Sequence, residues 1–121
     1  MKVIRFKDWD CILRYGQYGN KRTAIELIDT HDGESVAVAT VNIVNADIND
    51  DEIIIKDYSE NEGMQKILMD AGIISTPVRI IPTGYVVVPV CKLLVDAETY
   101  NRMDDGKDER TIHGTNNKKH E

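Results

Sequence analysis

Hydrophobic and polar residues alternate through the first half of the chain, which is typical of β-strands with one buried face. Strands are predicted at residues 9–18, 22–29 and 34–43. An Asp-Gly pair, Asp32-Gly33, lies between the second and third of these runs. Glycine tolerates the positive φ that a tight turn requires, so the pair predicts a β-hairpin. The first half of the chain is therefore expected to form an antiparallel sheet.

A helix is predicted over residues 59–72. Ser59 and Glu62 have the S-x-x-E spacing of a capping box, and Gly72 can take the left-handed conformation that ends a helix. The apolar residues between these signals recur at positions i, i+3, i+4 and i+7, and they are Met64, Ile67, Leu68 and Ala71. Because this spacing places them on one side of a helix, we expect the stripe to pack against the sheet.

The second half of the chain adds further strands. Residues 52–56 form a short apolar run, and residues 78–95 read as a hairpin that turns at 82–84 and is buried on both faces. Pro89 has no backbone N–H, so it predicts an edge strand or a bulge. The sequence thus predicts an α+β fold: an antiparallel sheet of five or six strands with one main amphipathic helix packed on one face.

The length of 121 residues suits a single domain. We expect one α+β domain over residues 1–95 and a polar extension over 96–121 that is mobile or partly helical. No apolar run reaches the ~18–20 residues of a membrane span, and no secretory signal is visible, so a cytoplasmic protein is expected. Cys11 and Cys91 lie in apolar runs and are predicted to be buried thiols.

The negative charge of the chain is concentrated in one segment. The formal net charge is −6, and residues 47–62 account for all of it, with seven carboxylates against Lys56 (1 − 7 = −6). These carboxylates belong to Asp47, Asp50, Asp51, Glu52, Asp57, Glu60 and Glu62. Direct binding to nucleic acid is not expected, since phosphate contacts require clustered Lys and Arg residues.

Known catalytic and metal-binding patterns do not fit this chain. Asp47, Asn49 and Asp51 have the first spacings of a calcium loop, but Glu52 stands where the loop needs Gly and Tyr58 where it needs Glu. The three histidines lie in a turn and near the C-terminus, without a Cys or Ser arrangement, and no phosphate-binding glycine motif is present. We therefore expect no enzymatic activity, no metal and no cofactor.

The acidic segment permits two interpretations. Carboxylates in a loop and in the first turn of a helix can simply solvate the surface and favour the helix dipole. They can also form a negative face, the partner-binding site of a protein that meets a positively charged groove. A different hypothesis is a small-ligand binder that sequesters a nucleotide immune signal between subunits. Its candidate residues are the aromatics Trp9, Tyr15, Tyr18 and Tyr85, with Arg14, Arg22 and Arg79 on phosphate.

The stretches IIIKDYSENEGM, DAGII and PTGYVVVPVCKLL resemble a family of small proteins of unknown function from phages and conjugative elements of gut bacteria. Some members are anti-CRISPR inhibitors of the type II effector nuclease. The resemblance covers most of residues 1–95, and it implies a cytoplasmic, non-enzymatic accessory protein of a mobile element. We therefore expect a stoichiometric inhibitor of host defence, whose acidic residues bind a nucleic-acid-handling protein with a basic groove.

Overall fold

Two antiparallel β-sheets and one α-helix make up residues 2–95, the part of the chain that the computed structural model describes. The first sheet has the strand order β1 (Ile4–Phe6), β2 (Trp9–Gln17), β3 (Thr23–Asp29) and β4 (Ser35–Val38). The second sheet has the order β5 (Glu52–Ile54), β7 (Val87–Leu93) and β6 (Ile74–Pro82). The helix α1 spans Met64–Asp70. The α+β class is confirmed, whereas the prediction of one sheet with five or six strands is wrong.

The two sheets meet where β4 approaches β5. Thr40 and Ile55 form an antiparallel bridge, and the N–H of Lys56 donates to the carbonyl of Ala39 at 2.8 Å. The helix α1 contacts β1 of the first sheet and β6 of the second, which are outer strands of their sheets. The helix therefore packs against both sheets, which corrects the expectation that it packs on one face of a single sheet.

One hydrophobic core is built from both sheets and the helix. Met64 and Leu68 of α1 are completely buried in it, one helical turn apart, as their spacing predicted. Ile67 is partly buried and packs against the same core. The two cysteines, Cys11 and Cys91, are buried thiols of this core, which confirms their prediction.

The beginning of α1 differs from the prediction. Ser59–Asn61 form a separate 3₁₀ turn, and α1 begins only after Gly63, which has a φ of 96°. Ser59 itself has a positive φ of 56°, and neither it nor Gly63 provides a side-chain cap to α1. The carboxylate of Asp57 instead accepts the N–H of Gln65 at 2.9 Å. The predicted capping box is therefore wrong, because Asp57 takes the role assigned to Ser59.

A buried asparagine explains why the helix does not extend back to residue 59. The side chain of Asn61 is fully buried and donates to the carbonyl of Val38 at 2.7 Å, which holds the 3₁₀ turn against the end of β4. Glu62 then has an extended backbone, with a ψ of 130°, and this separates the turn from α1. Helical spacing in the sequence does not reveal this tertiary contact.

The end of α1 is as the sequence predicted. Gly72 has a φ of 77°, and its N–H donates to the carbonyl of Met69 at 3.0 Å. The N–H of Ile73 donates to the carbonyl of Leu68 at 2.9 Å. This pair of hydrogen bonds is the Schellman motif, in which a left-handed residue satisfies the last carbonyls of the helix.

The predicted second hairpin is formed by β6 and β7 and closes with a hydrogen bond of 2.9 Å from the N–H of Thr83 to the carbonyl of Val86. The prediction for Pro89 is wrong, since this residue lies in β7, the central strand of its sheet. The carbonyl of Pro89 still accepts a hydrogen bond from the N–H of Ile55 at 3.0 Å. Pro89 therefore deprives the ladder of one N–H donor but not of its acceptor.

None of the helices within residues 2–95 has the length and the apolar character needed to cross a membrane. The predictions made for residues 96–121 lie outside the described part of the chain.

Candidate acidic binding surface

The seven carboxylates of the acidic segment occupy different environments. Three of them are bonded to the fold, and they belong to Glu52, Asp57 and Glu60. The other four residues are exposed, and they are Asp47, Asp50, Asp51 and Glu62. The acidic segment thus contains carboxylates that stabilise the structure and carboxylates that are exposed to a partner.

Glu52 is the most constrained of these acids. Its side chain is only 2% exposed, and both of its oxygens accept hydrogen bonds from the guanidinium of Arg79, one of them at 3.3 Å. The backbone N–H of Asn49 donates to the same carboxylate at 2.8 Å. The Arg79 hydrogen bond, followed by that of Asn49, lowers the pKa of Glu52. Glu52 is therefore a charged structural residue rather than a docking residue.

The Arg79–Glu52 pair is part of a frame that fixes the loop preceding β5. Arg79 also donates to the backbone carbonyl of Asp47 at 3.2 Å, and the N–H of Leu93 in β7 donates to the carbonyl of Asp51 at 2.8 Å. These contacts hold both ends of the segment 47–51 through its backbone. The side chains of Asp47, Asp50 and Asp51 remain exposed, and we call this segment the acidic loop.

The chain that leads into the acidic loop is held against the outer face of the second sheet. Arg22, which precedes β3, donates to the carbonyl of Ile43 at 2.7 Å and also to that of Ala46. Apolar side chains from residues 41–48 pack against the buried residues Ile54, Val88 and Val90 of the sheet, and they are Val41, Ile43, Ala46 and Ile48. The acidic loop therefore continues from a packed segment.

The remaining acids lie beyond β5. Asp57 caps α1, and Glu60 forms an ion pair with Lys56 at 2.7 Å. Glu62 is exposed just before α1 begins. The exposed carboxylates thus occur in two places, three of them in the acidic loop and one near the helix.

The residues proposed for a small-ligand site lie in different environments. Tyr15 is 1% exposed inside the core, whereas Tyr85 is fully exposed at the turn between β6 and β7. The hydroxyl of Tyr18 is bonded to Thr40, and Trp9 packs partly against the core. The guanidinium groups also have internal partners: Glu26 for Arg14, backbone carbonyls for Arg22 and Glu52 for Arg79.

A cluster of three or more His, Cys, Asp or Glu side chains suited to a metal ion does not occur in residues 2–95. The absence of enzymatic activity and of cofactors stays a prediction.

The structure also reveals an exposed apolar surface that the sequence interpretation missed. Residues 78–95 were expected to be buried on both faces, and this holds for much of β7 but not for β6. Seven large apolar residues are exposed in the described chain, and four of them lie in β6, in β7 or in the turn between these strands: Val78, Ile80, Tyr85 and Val87. We call these four residues the hairpin patch. The outer position of β6 in its sheet explains the exposure of Val78 and Ile80, whereas Tyr85 lies in the turn and Val87 is the first residue of β7.

Comparisons with known protein families, with curated proteins and with solved structures found no match to this chain. The family resemblance described above therefore stays a prediction. A function has to be inferred from the acidic loop and the hairpin patch themselves.

Proposed function

We propose that this protein is a non-enzymatic binding protein whose acidic loop meets a positively charged groove on another protein. The observation that carries the proposal is the anchoring of the loop by Arg79 and by the N–H of Leu93. Because the backbone is already fixed, binding would order only the side chains of the loop. A loop held in its binding conformation loses less conformational entropy when it meets a partner.

The charge of the acidic loop suits fast, selective association. Three adjacent, exposed carboxylates attract a basic surface and repel an acidic one, which affects the association rate more than the final affinity. At physiological ionic strength such attraction extends over about 8 Å, so it weakens as salt is added. Glu62 is the fourth exposed carboxylate of the acidic segment and lies near α1.

The kind of partner follows from the charge and from the family resemblance. A protein that handles nucleic acid needs a groove rich in Lys and Arg, and clustered carboxylates can compete for that groove. We therefore propose that the target is a nucleic-acid-handling protein of host defence and that inhibition is stoichiometric. The RNA-guided type II effector nuclease is the first target to test.

The test compares two charge-matched triple variants. Replacing Asp47, Asp50 and Asp51 with Lys changes the net charge by +6, because each of three substitutions changes it by +2. The same change is produced at exposed acids elsewhere in the chain by replacing Asp8, Glu34 and Asp70 with Lys. Circular dichroism establishes that both variants are folded.

DNA cleavage by the purified type II effector nuclease is then measured against increasing inhibitor concentration at low and at physiological salt. The loop variant should lose most of the inhibition, while the control variant should retain it. Equal inhibition by the parent and the loop variant would refute a role for the acidic loop. Equal loss in both variants would show that total charge, not this loop, is responsible.

A further inference from the structure

A segment without helix or strand packs against one face of the second sheet. It comprises residues 42–50, between β4 and β5, and we call it the strap. Ile54, Val88 and Val90 of that face are at most 2% exposed and form a hydrophobic cluster separate from the main core. The side chains that pack against this cluster are Ile43, Ala46 and Ile48 of the strap and Val41, Tyr58, Ile81 and Val86 outside it. Small clusters of this kind commonly lie under long loops.

The strap is joined to the second sheet by backbone hydrogen bonds just outside its two ends. The N–H of Val41 donates to the carbonyl of Ile54 at 3.1 Å, and the N–H of Leu93 donates to the carbonyl of Asp51 at 2.8 Å. Between these bonds, side chains from other parts of the chain hold the backbone of the strap. Because a side-chain contact can break without disturbing the pairing of strands, the strap can separate from the sheet while the sheet stays intact.

Two arginines from different sheets supply these side-chain contacts. Arg22, which precedes β3 of the first sheet, donates to the carbonyl of Ile43 at 2.7 Å and also to that of Ala46. Arg79, in β6 of the second sheet, donates to the carbonyl of Asp47 at 3.2 Å. The strap is thus held near its middle by one sheet and near its C-terminal end by the other.

The two arginines differ in what else they hold. Arg79 also pairs with the buried carboxylate of Glu52, so its loss would disturb β5 together with the strap. Within residues 2–95, the hydrogen bonds of the Arg22 guanidinium all go to the strap, where the side chain of Asn42 accepts one at 3.4 Å beside the two carbonyls. Arg22 is therefore the contact whose removal affects the strap most selectively.

We propose that the strap is a conformational device that opens and closes over the cluster of Ile54, Val88 and Val90 while both sheets stay folded, and that Arg22 holds it closed. The acidic loop shares residues 47–50 with the strap, so each opening releases the fixed conformation of the loop. A partner that contacts the loop in this conformation stabilises the closed strap, because a ligand shifts an equilibrium towards the state that it binds. This consequence rests on the proposed function, whereas the opening itself does not.

Thiol labelling of the full-length chain compares the two faces of one strand. Val88→Cys places a small, hydrophobic thiol beneath the strap, and the native Cys91 lies three residues further along β7 in the main core. Both positions are at most 1% exposed, so a thiol reagent reaches each of them only after an opening. Opening of the strap exposes position 88 alone, whereas unfolding of the sheet exposes both thiols. Mass spectrometry of the digested protein gives the two rates.

The thiol introduced by Val88→Cys should react about tenfold or more faster than Cys91, since a local opening is more frequent than unfolding of the domain. Adding Arg22→Met should accelerate its labelling about tenfold further and leave the rate of Cys91 unchanged, because the strap loses charge-assisted hydrogen bonds. Arg5→Met is the matched control, since Arg5 is an exposed arginine of β1 that pairs with Asp10. It should change neither rate.

Equal rates for the two thiols, with the same dependence on urea, would refute an opening strap. No acceleration by Arg22→Met, or equal acceleration of both thiols, would refute the role of Arg22. Hydrogen exchange of the unsubstituted chain repeats the test without a new thiol. The amides of Ala46 and Asn49 should exchange faster than that of Ile55, which donates to the carbonyl of Pro89 in the second sheet. Equal protection of all three amides would overturn the proposal.

Addition of the purified type II effector nuclease tests the link to the proposed function. At saturating concentration the nuclease should slow the labelling of the Val88→Cys thiol, because it binds only the closed strap. A rate that the nuclease leaves unchanged would refute this coupling and the proposed target. The opening of the strap, measured in the free protein, would then stand without them.

Discussion

Replacing Leu68 with Ala tests the central role of α1 in joining the two sheets. Leu68 is completely buried in the shared core, so the substitution removes three buried carbon atoms and leaves a cavity. At about 0.8 kcal/mol for each buried methylene, the transfer contribution alone is about 2.4 kcal/mol. The cavity raises the expected loss to ~2–5 kcal/mol, depending on how far α1 can relax towards the strands.

That loss is large in relation to the ~5–15 kcal/mol by which domains of this size are usually stable. Urea unfolding can be followed by the fluorescence of Trp9, the single tryptophan, which packs against the same core. A thermal melt should show a decrease of at least ~8 °C, since each kcal/mol corresponds to ~4–8 °C.

Ile67→Ala is the matched control, because Ile67 is the adjacent residue of the same helix and is only partly buried. Its loss of stability should be clearly smaller than that of Leu68→Ala. A loss below ~1 kcal/mol for Leu68→Ala would mean that this side of α1 does not support the core. Because Ala is the best helix former, helix propensity cannot cause a loss in either variant, and an equal loss would mean that the greater burial of Leu68 does not determine the effect.

Two further predictions concern the helix cap and the absence of chemistry. Asp57→Ala should destabilise the protein by about 1 kcal/mol in a urea titration, as the loss of an N-terminal cap usually does, whereas Ser59→Ala should change the stability little. A larger loss for Ser59→Ala than for Asp57→Ala would support the capping box predicted from the sequence. Incubated with single- or double-stranded nucleic acid and magnesium, the protein should produce no cleavage; turnover that disappears on substituting Asp50 or Asp51 would contradict the non-enzymatic proposal.

Local features of the fold could be predicted because they depend on residues close in sequence. The buried pair Met64 and Leu68 follows from helical spacing, and the end of α1 follows from Gly72. Both features depend only on residues within one or two helical turns of each other. The strand pairs next to Asp32-Gly33 and Gly84 are equally local, since a tight turn brings adjacent strands together.

Features that depend on distant contacts could not be predicted. The strands form two sheets that are connected by the short bridge between Thr40 and Ile55. The alternation of polar and apolar residues does not show which strands pair with each other. The 3₁₀ turn depends on the hydrogen bond from Asn61 to Val38, 23 positions away. The exposure of Ile80 depends on β6 being an outer strand, and an apolar run has the same sequence pattern in a central strand.

The acidic segment shows the same limit at the level of function. Its sequence contains seven carboxylates, but Glu52 pairs with Arg79, Glu60 pairs with Lys56 and Asp57 caps α1. Four exposed carboxylates remain (7 − 3 = 4), and three of these lie in the acidic loop.

A partner would therefore be recognised by a small number of fixed charges, not by the net charge of −6. Three charges can direct an encounter, but they cannot supply a stable interface without apolar burial. The salt dependence of binding distinguishes these contributions, because only the electrostatic part is screened. A complex that retains most of its lifetime at high salt, while forming more slowly, is the expected result if the charged loop directs the encounter and apolar contacts hold the complex together.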